Sequence, residues 1–157
     1  MEGLFIARVV HVLGVVLWIG GVAMVTTVLL PATRHTRSPA DGLAWFEAIE
    51  GRFAAQARWT TLLTGASGAY LVHGLESWSR FGEPRFWWMH VMVGIWVVFT
   101  LMLFLLEPLV LHRLFAERTR RDPEGTFALV TRLHWVLLGL SLVTVAGAVA
   151  GSHGWSF

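Results

Sequence analysis

Residues 4–30 read LFIARVVHVLGVVLWIGGVAMVTTVLL, and Pro31 follows. Arg8 and His11 are the only ionisable side chains in this run. A helix needs about 20 mainly apolar residues to cross a bilayer, so the stretch reads as a spanning helix ending at Pro31. In lipid, such a segment must satisfy its backbone hydrogen bonds internally, and a helix does that. Three further stretches have the same character, at about residues 59–75, 86–111 and 127–150. The expected fold is all-α: an integral membrane four-helix bundle, with residues 1–157 as a single four-span domain.

The segment between spans one and two is different. Ser38-Pro39-Ala40-Asp41 resembles a capping box with Pro39 at the first helical position. Trp45, Phe46, Ile49 and Phe53 then recur at helical spacing, with Asp41, Glu47, Glu50 and Arg52 elsewhere on the wheel. This pattern predicts a short amphipathic interfacial helix at about residues 39–57. The alternative is a bent continuation into span two.

The chain has 157 residues, of which 55% are hydrophobic and 14% charged. Soluble domains carry about a quarter charged residues. There is no cysteine, which excludes disulfides, thiolate ligands and iron–sulfur clusters. There is no lysine, which excludes Schiff-base chemistry. The arginines are dispersed rather than run together, so no nucleic-acid partner is expected. Met1-Glu2-Gly3 lacks a positive flank and the run behind it is too long for a signal peptide, so span one is expected to be retained.

Arginine placement sets the expected orientation. Arg34, Arg37, Arg52, Arg58, Arg113, Arg118, Arg120, Arg121 and Arg132 flank the loops after spans one and three. Only Arg8, Arg80 and Arg85 lie on the other side. The positive-inside rule then puts both termini outside, with Trp78, Trp87, Trp88 and Trp155 as an outer aromatic belt. Thr61, Gly65 and Ala69, and Gly147 and Gly151, stand at four-residue spacing and suit close helix approach.

Seven histidines stand out in so apolar a chain. Measured from the middle of each span, His11 lies roughly 9 Å outward, His73 about 10 Å and His90 about 13 Å. Three histidines from three helices are thus expected near one level. His134 lies alone on the inner side, while His35, His112 and His153 belong to the interfaces. An ionisable side chain within a span is a functional candidate by default. The bland reading is a histidine hydrogen-bonded across helices or sitting in the headgroup zone, and it is preferred for His134.

For His11, His73 and His90 together, a shared ligand is expected. Gly14, Gly94 and Ala69 sit one turn deeper than these histidines and offer space for a flat macrocycle. Arg8, one turn above His11, suits a haem propionate, or else snorkels to the interface. Trp18 supplies an aromatic floor on the face of His11 and Gly14. One haem b with two axial imidazoles, His11 with His90 favoured over His73, fits this set best. Copper on the same histidines is the alternative, although no carboxylate or methionine ladder accompanies them. Glu107-Pro108 is a separate anomaly. It predicts a kink in span three and a buried tie from Glu107 to Arg132, Arg58 or His134.

Two segments carry a family resemblance. HVLGVVLWIGGVAMVTTVLLP (residues 11–31) resembles the opening of the copper-resistance protein D (CopD)-like membrane proteins and the related small bacterial four-helix b-type cytochromes. The shared features are a histidine, a tryptophan one to two turns on, a Gly-Gly pair and a closing proline. GRFAAQARWTTLLTGASGAYLV (residues 51–72) and FWWMHVMVGIWVVFTLMLFLLEP (residues 86–108) are similar to spans two and three of that group. The resemblance implies a bacterial inner-membrane protein that handles haem or copper, with His11 the best matched ligand. It suggests quinol-linked electron transfer, with a redox partner or homo-oligomer. Where di-haem relatives place two histidines in span four, this chain has only His134. Four-helix protoporphyrinogen oxidases pair their first-span histidine with a lysine motif that is absent here. A cofactor-free membrane subunit or scaffold is the remaining alternative.

Overall fold

The computed structural model describes residues 2–33, 39–111, 117–118 and 121–154. Every regular element among them is helical. α1 (Glu2–Met24) widens into a π-helical turn at Val25–Leu29 and finishes as α2 (Leu30–Thr33). α3 is Pro39–Gly74. Two 3-10 turns, Ser77–Gly82 and Pro84–Phe86, lead into α4 (Trp87–Leu101), which continues as a π-helix over Met102–Leu111. α5 is Pro123–Ser152. The end of the bundle holding Glu2, Gly74, Trp87 and Ser152 is called outer below.

Three helical stretches, Glu2–Thr33, Pro84–Leu106 and Pro123–Ser152, are long and apolar enough to cross a membrane. α3 is long too, but Thr60, Thr61, Thr64, Ser67 and two glycines dilute its outer half.

The separate interfacial helix is corrected: residues 39–57 are the first part of one 36-residue helix. No proline follows Pro39 before the end of α3, and one interior glycine such as Gly51 costs only about 1 kcal/mol. Packing holds the straight course, because Ile49 and Phe53 lie on a buried cluster of Val25, Leu29, Leu30 and Val130. Two other boundaries also move. The helix does not stop at Pro31 but continues to Thr33. Proline lacks an N–H and its ring clashes with the carbonyl four residues back. The preceding π turn widens the helix, and Leu30 N–H bonds the Val25 carbonyl five residues back. Pro108 sits in the second π segment, so the irregularity expected there takes the form of a widened helix. The fourth helix starts at Pro123 rather than near Phe127. Asp122 caps it, accepting from Gly125 N–H at 2.9 Å, with proline at the first helical position.

α1 and α3 run antiparallel in close contact. A Cβ on Gly74 would meet Leu4, one on Gly14 would meet Thr64, and one on Gly21 would meet Phe53. α4 and α5 form the second antiparallel pair, in which Trp87 and Trp88 cover Gly147 and Gly151. Trp88 is buried by this contact and is therefore not part of an interfacial belt, unlike the exposed Trp78. Between the pairs, the Trp96 ring fills the space at Gly65 and its Nε1 donates to the Thr61 carbonyl at 2.9 Å. Small residues here provide the close approach expected where lipid gives helices little reason to associate. Three apolar clusters close the middle and inner parts of the bundle. They centre on Trp18, Phe99 and Leu138, on Val25, Leu30 and Val130, and on Ala54, Ala57 and Leu103.

Candidate functional site

His11 lies half-buried on the α1–α3 seam. Its Nδ1 is 3.0 Å from the Thr64 carbonyl and 3.3 Å from Ser67 Oγ. A carbonyl only accepts, so Nδ1 carries the proton. Ser67 Oγ donates to the Leu63 carbonyl and is thus an acceptor towards His11. The Nδ1–Cε1 edge rests on Gly68, where a Cβ would come within 3.1 Å of Cε1. The ring is therefore fixed in orientation and tautomer, and Nε2 keeps its lone pair. A metal-bound histidine is held in this way, with one nitrogen donating to a carbonyl and the other ligating.

The other candidates are arranged differently. His90 is exposed, and its Nε2–H donates to the Phe81 carbonyl at 2.9 Å. The Phe81 ring stands edge-on to it at 5.5 Å. His90 thus ties the 3-10 loop to the start of α4. His73 is exposed in the last turn of α3. His11 meets α3 at residues 64–68, so His73 lies roughly 7–14 Å further out along that helix. Among the described residues, no three His, Asp or Glu side chains converge. The three histidines are therefore not drawn into one cluster. Span midpoints misjudged their levels because the stretch 59–75 is only the outer part of α3, which begins at Pro39, so its midpoint was set too far outward. Arg8 is exposed, one turn outward of His11.

The small residues divide in the same way. Gly14 is buried, and a Cβ there would lie 2.5 Å from Thr64 Oγ1 and 3.5 Å from the Thr60 carbonyl. α3 fills that space, so no macrocycle edge enters there. Gly94 and Ala69 are exposed, and nothing lies within 4 Å of a Cβ on Gly94. Trp18 is 4% exposed, with the Phe99 ring edge-on at 4.9 Å. It belongs to the core and lies below the level of His11.

On the inner side, His134 Nδ1–H donates to the Val130 carbonyl of its own helix at 2.9 Å. The half-buried Arg58 donates from Nε to the Leu103 carbonyl at 3.2 Å, where α4 becomes π-helical. Reading Arg58 as a loop flank missed this contact. The side chain of Glu107 lies outside the described residues, as do His35, His112 and Trp155. The partners of His11 were missed as well, although TTLLTGASG (residues 60–68) already sets hydroxyls and glycines on one helical face.

Comparison with family models, curated proteins and solved structures gives no match.

Proposed function

We propose that this chain is a four-span membrane cytochrome of the b type, carrying electrons within a bacterial inner membrane with both termini outside. One observation carries the reading: His11 is anchored through Nδ1 with Nε2 uncommitted, inside an apolar helix. The donor chemistry fits haem, and a neutral imidazole of fixed tautomer is what an axial position takes. Bound haem would supply one-electron redox chemistry. His11 would hold it, Thr64 and Ser67 would orient His11, and Arg8 stands where a propionate would reach. The macrocycle would lie on the side of His11 away from α3, because Gly14 and Gly68 are occupied. His90 or His73 would have to leave its present place to hold the same haem, since neither is drawn to His11. A quinol donor and a redox partner remain part of this proposal through the family resemblance alone.

The competing reading is a cofactor-free bundle in which His11 only ties two helices. The close fit of Gly14 and Gly68 on α3 favours it. Copper on the same histidines has no comparable support in the geometry.

An absorption spectrum of the detergent-purified chain, expressed with ample haem, separates these readings. The cytochrome reading expects a Soret band with sharp reduced α and β bands. His11→Ala should abolish them, and His134→Ala should keep them. No haem in the parent protein would sink the proposal. Haem surviving in His11→Ala but lost in His134→Ala would move the site to the inner side.

A further inference from the structure

We infer that the middle of the bundle binds an internal water molecule, held by Trp18 Nε1 and the hydroxyls of Thr61 and Thr100. These are the three buried side-chain polar atoms without a hydrogen-bond partner among the described residues. Trp18 is 4% exposed and Thr61 fully buried. Their lack of partners is specific. Thr26, Thr33, Thr60, Thr64, Ser67, Ser77, Thr126, Ser141 and Thr144 are also buried, and each donates its hydroxyl to a nearby carbonyl. Thr61 and Thr100 leave that bond unmade.

The three atoms share one level. Trp96 and Leu103 of α4 meet Thr61 and Arg58 of α3, through Trp96 Nε1 on the Thr61 carbonyl and Arg58 Nε on the Leu103 carbonyl. Thr100 is four residues after Trp96 and three before Leu103, so it lies on that same face. Thr61 stands between Gly65 and Arg58 on the facing side of α3. Trp18 reaches this level from α1, packing on Phe99, the neighbour of Thr100, in a cluster that includes Trp96. A helical side chain leans towards its own N-terminus, which carries the Trp18 indole outward towards Thr61.

A buried water typically makes about three hydrogen bonds to groups that would otherwise go unsatisfied. Here the indole N–H donates to it, and each hydroxyl can donate or accept. The surrounding side chains, Phe99, Trp96 and Val15, are apolar and packed, which suits a ligand no larger than water. The site needs no cofactor, and its test is independent of haem.

The test is proton-detected solid-state NMR on the full chain in lipid bilayers, with tryptophan labelled by nitrogen-15. Trp18→Phe and Trp96→Phe assign the two indole signals. Polarisation should pass from water to the Trp18 indole proton and not to that of Trp96, which is held by a carbonyl. Thr61→Val with Thr100→Val should lower the Trp18 transfer to the Trp96 level. Should that double variant fail to fold, Thr100→Ser should keep the transfer and Thr100→Val reduce it. Equal transfer to both indoles in the parent, or undiminished transfer once the hydroxyls are gone, would overturn the site.

Discussion

Inward of Trp18, apolar side chains such as Val25, Leu30, Leu103 and Val130 pack beside buried Thr26, Thr33 and Thr126, and Arg58 ties α3 to the π-helical stretch after α4. Outward of it, the buried positions include Gly14, Thr64, Ser67, Ser141 and Thr144 beside Trp88 and Met89, with the half-buried His11 on the α1–α3 seam. Both halves use local hydroxyl bonds, but the outer half gains more from close backbone approach, at Gly14, Gly65, Gly147 and Gly151. An imidazole survives in the outer half because the Thr64 carbonyl and Ser67 Oγ lie within reach of Nδ1 across a glycine-lined seam. The inner half answers two prolines with π-helical turns. The contrast teaches where to look for function: at the half whose packing is small and polar, not at the half holding most of the charge.

The largest expected effect is on cofactor loading. On the cytochrome proposal, His11→Ala should remove the haem signature from the purified protein, whereas Arg58→Met in the inner half should leave the spectrum intact. Next comes Gly14→Leu, which forces a side chain into Thr64 and the Thr60 carbonyl. Overpacking of this kind costs about 1–3 kcal/mol, and more where backbone must move. Thermal unfolding in detergent should show it, with the α1–α3 seam failing first. Arg58→Met should cost about 1–3 kcal/mol by leaving the Leu103 carbonyl with one partner fewer. If Gly14→Leu proves harmless while Arg58→Met unfolds the chain, the two halves have been assigned the wrong roles.

Much of this was legible in the sequence, for reasons that particular residues make plain. The run from Leu4 to Leu30 admits little but a helix. Gly65, Gly147 and Gly151 announced close packing, and Trp96, Trp87 and Trp88 fill those spaces. His134 was expected to hydrogen-bond across helices or sit in the headgroup zone; its Nδ1–H donates to Val130 of its own helix, a contact at four-residue spacing. The interfacial helix was misread because amphipathicity records which face is apolar, not whether the apolar face meets lipid or protein. Ile49 and Phe53 meet protein. The levels of the histidines were misjudged because hydropathy gives each span its own midpoint and no common origin. Only contacts such as Gly14 on Thr64 set one helix against another. The tie from His90 to Phe81 depends on how a loop folds back over nine residues, which periodicity does not encode.

His90 and His11 sharpen the comparison further. Both use one ring nitrogen to hold a carbonyl, but His90 does so exposed, reaching from the first turn of α4 to the 3-10 loop. His90→Ala should cost about 0.5–1.5 kcal/mol, the usual net worth of one hydrogen bond. Proteolysis between Ser77 and Phe86 should quicken as the loop loosens. Haem content should fall only if His90 is also an axial ligand, and the spectrum of the same preparation reads that out.

The smallest expected effect on stability belongs to Gly94. It is exposed, with open space around the position of a Cβ, so Gly94→Leu removes a poor helix former and meets nothing. Its stability should stay within about 0.5 kcal/mol of the parent, or rise by up to about 1 kcal/mol through helix propensity. That neutrality makes it a clean probe of where a macrocycle sits. Gly14 cannot serve, because filling it disrupts α1 on α3 whether or not haem is present. A leucine at Gly94 that leaves the melting curve unchanged but lowers haem per protein places the macrocycle edge against α4. Unchanged haem content would remove Gly94 from the pocket and leave His11 to be approached from another side.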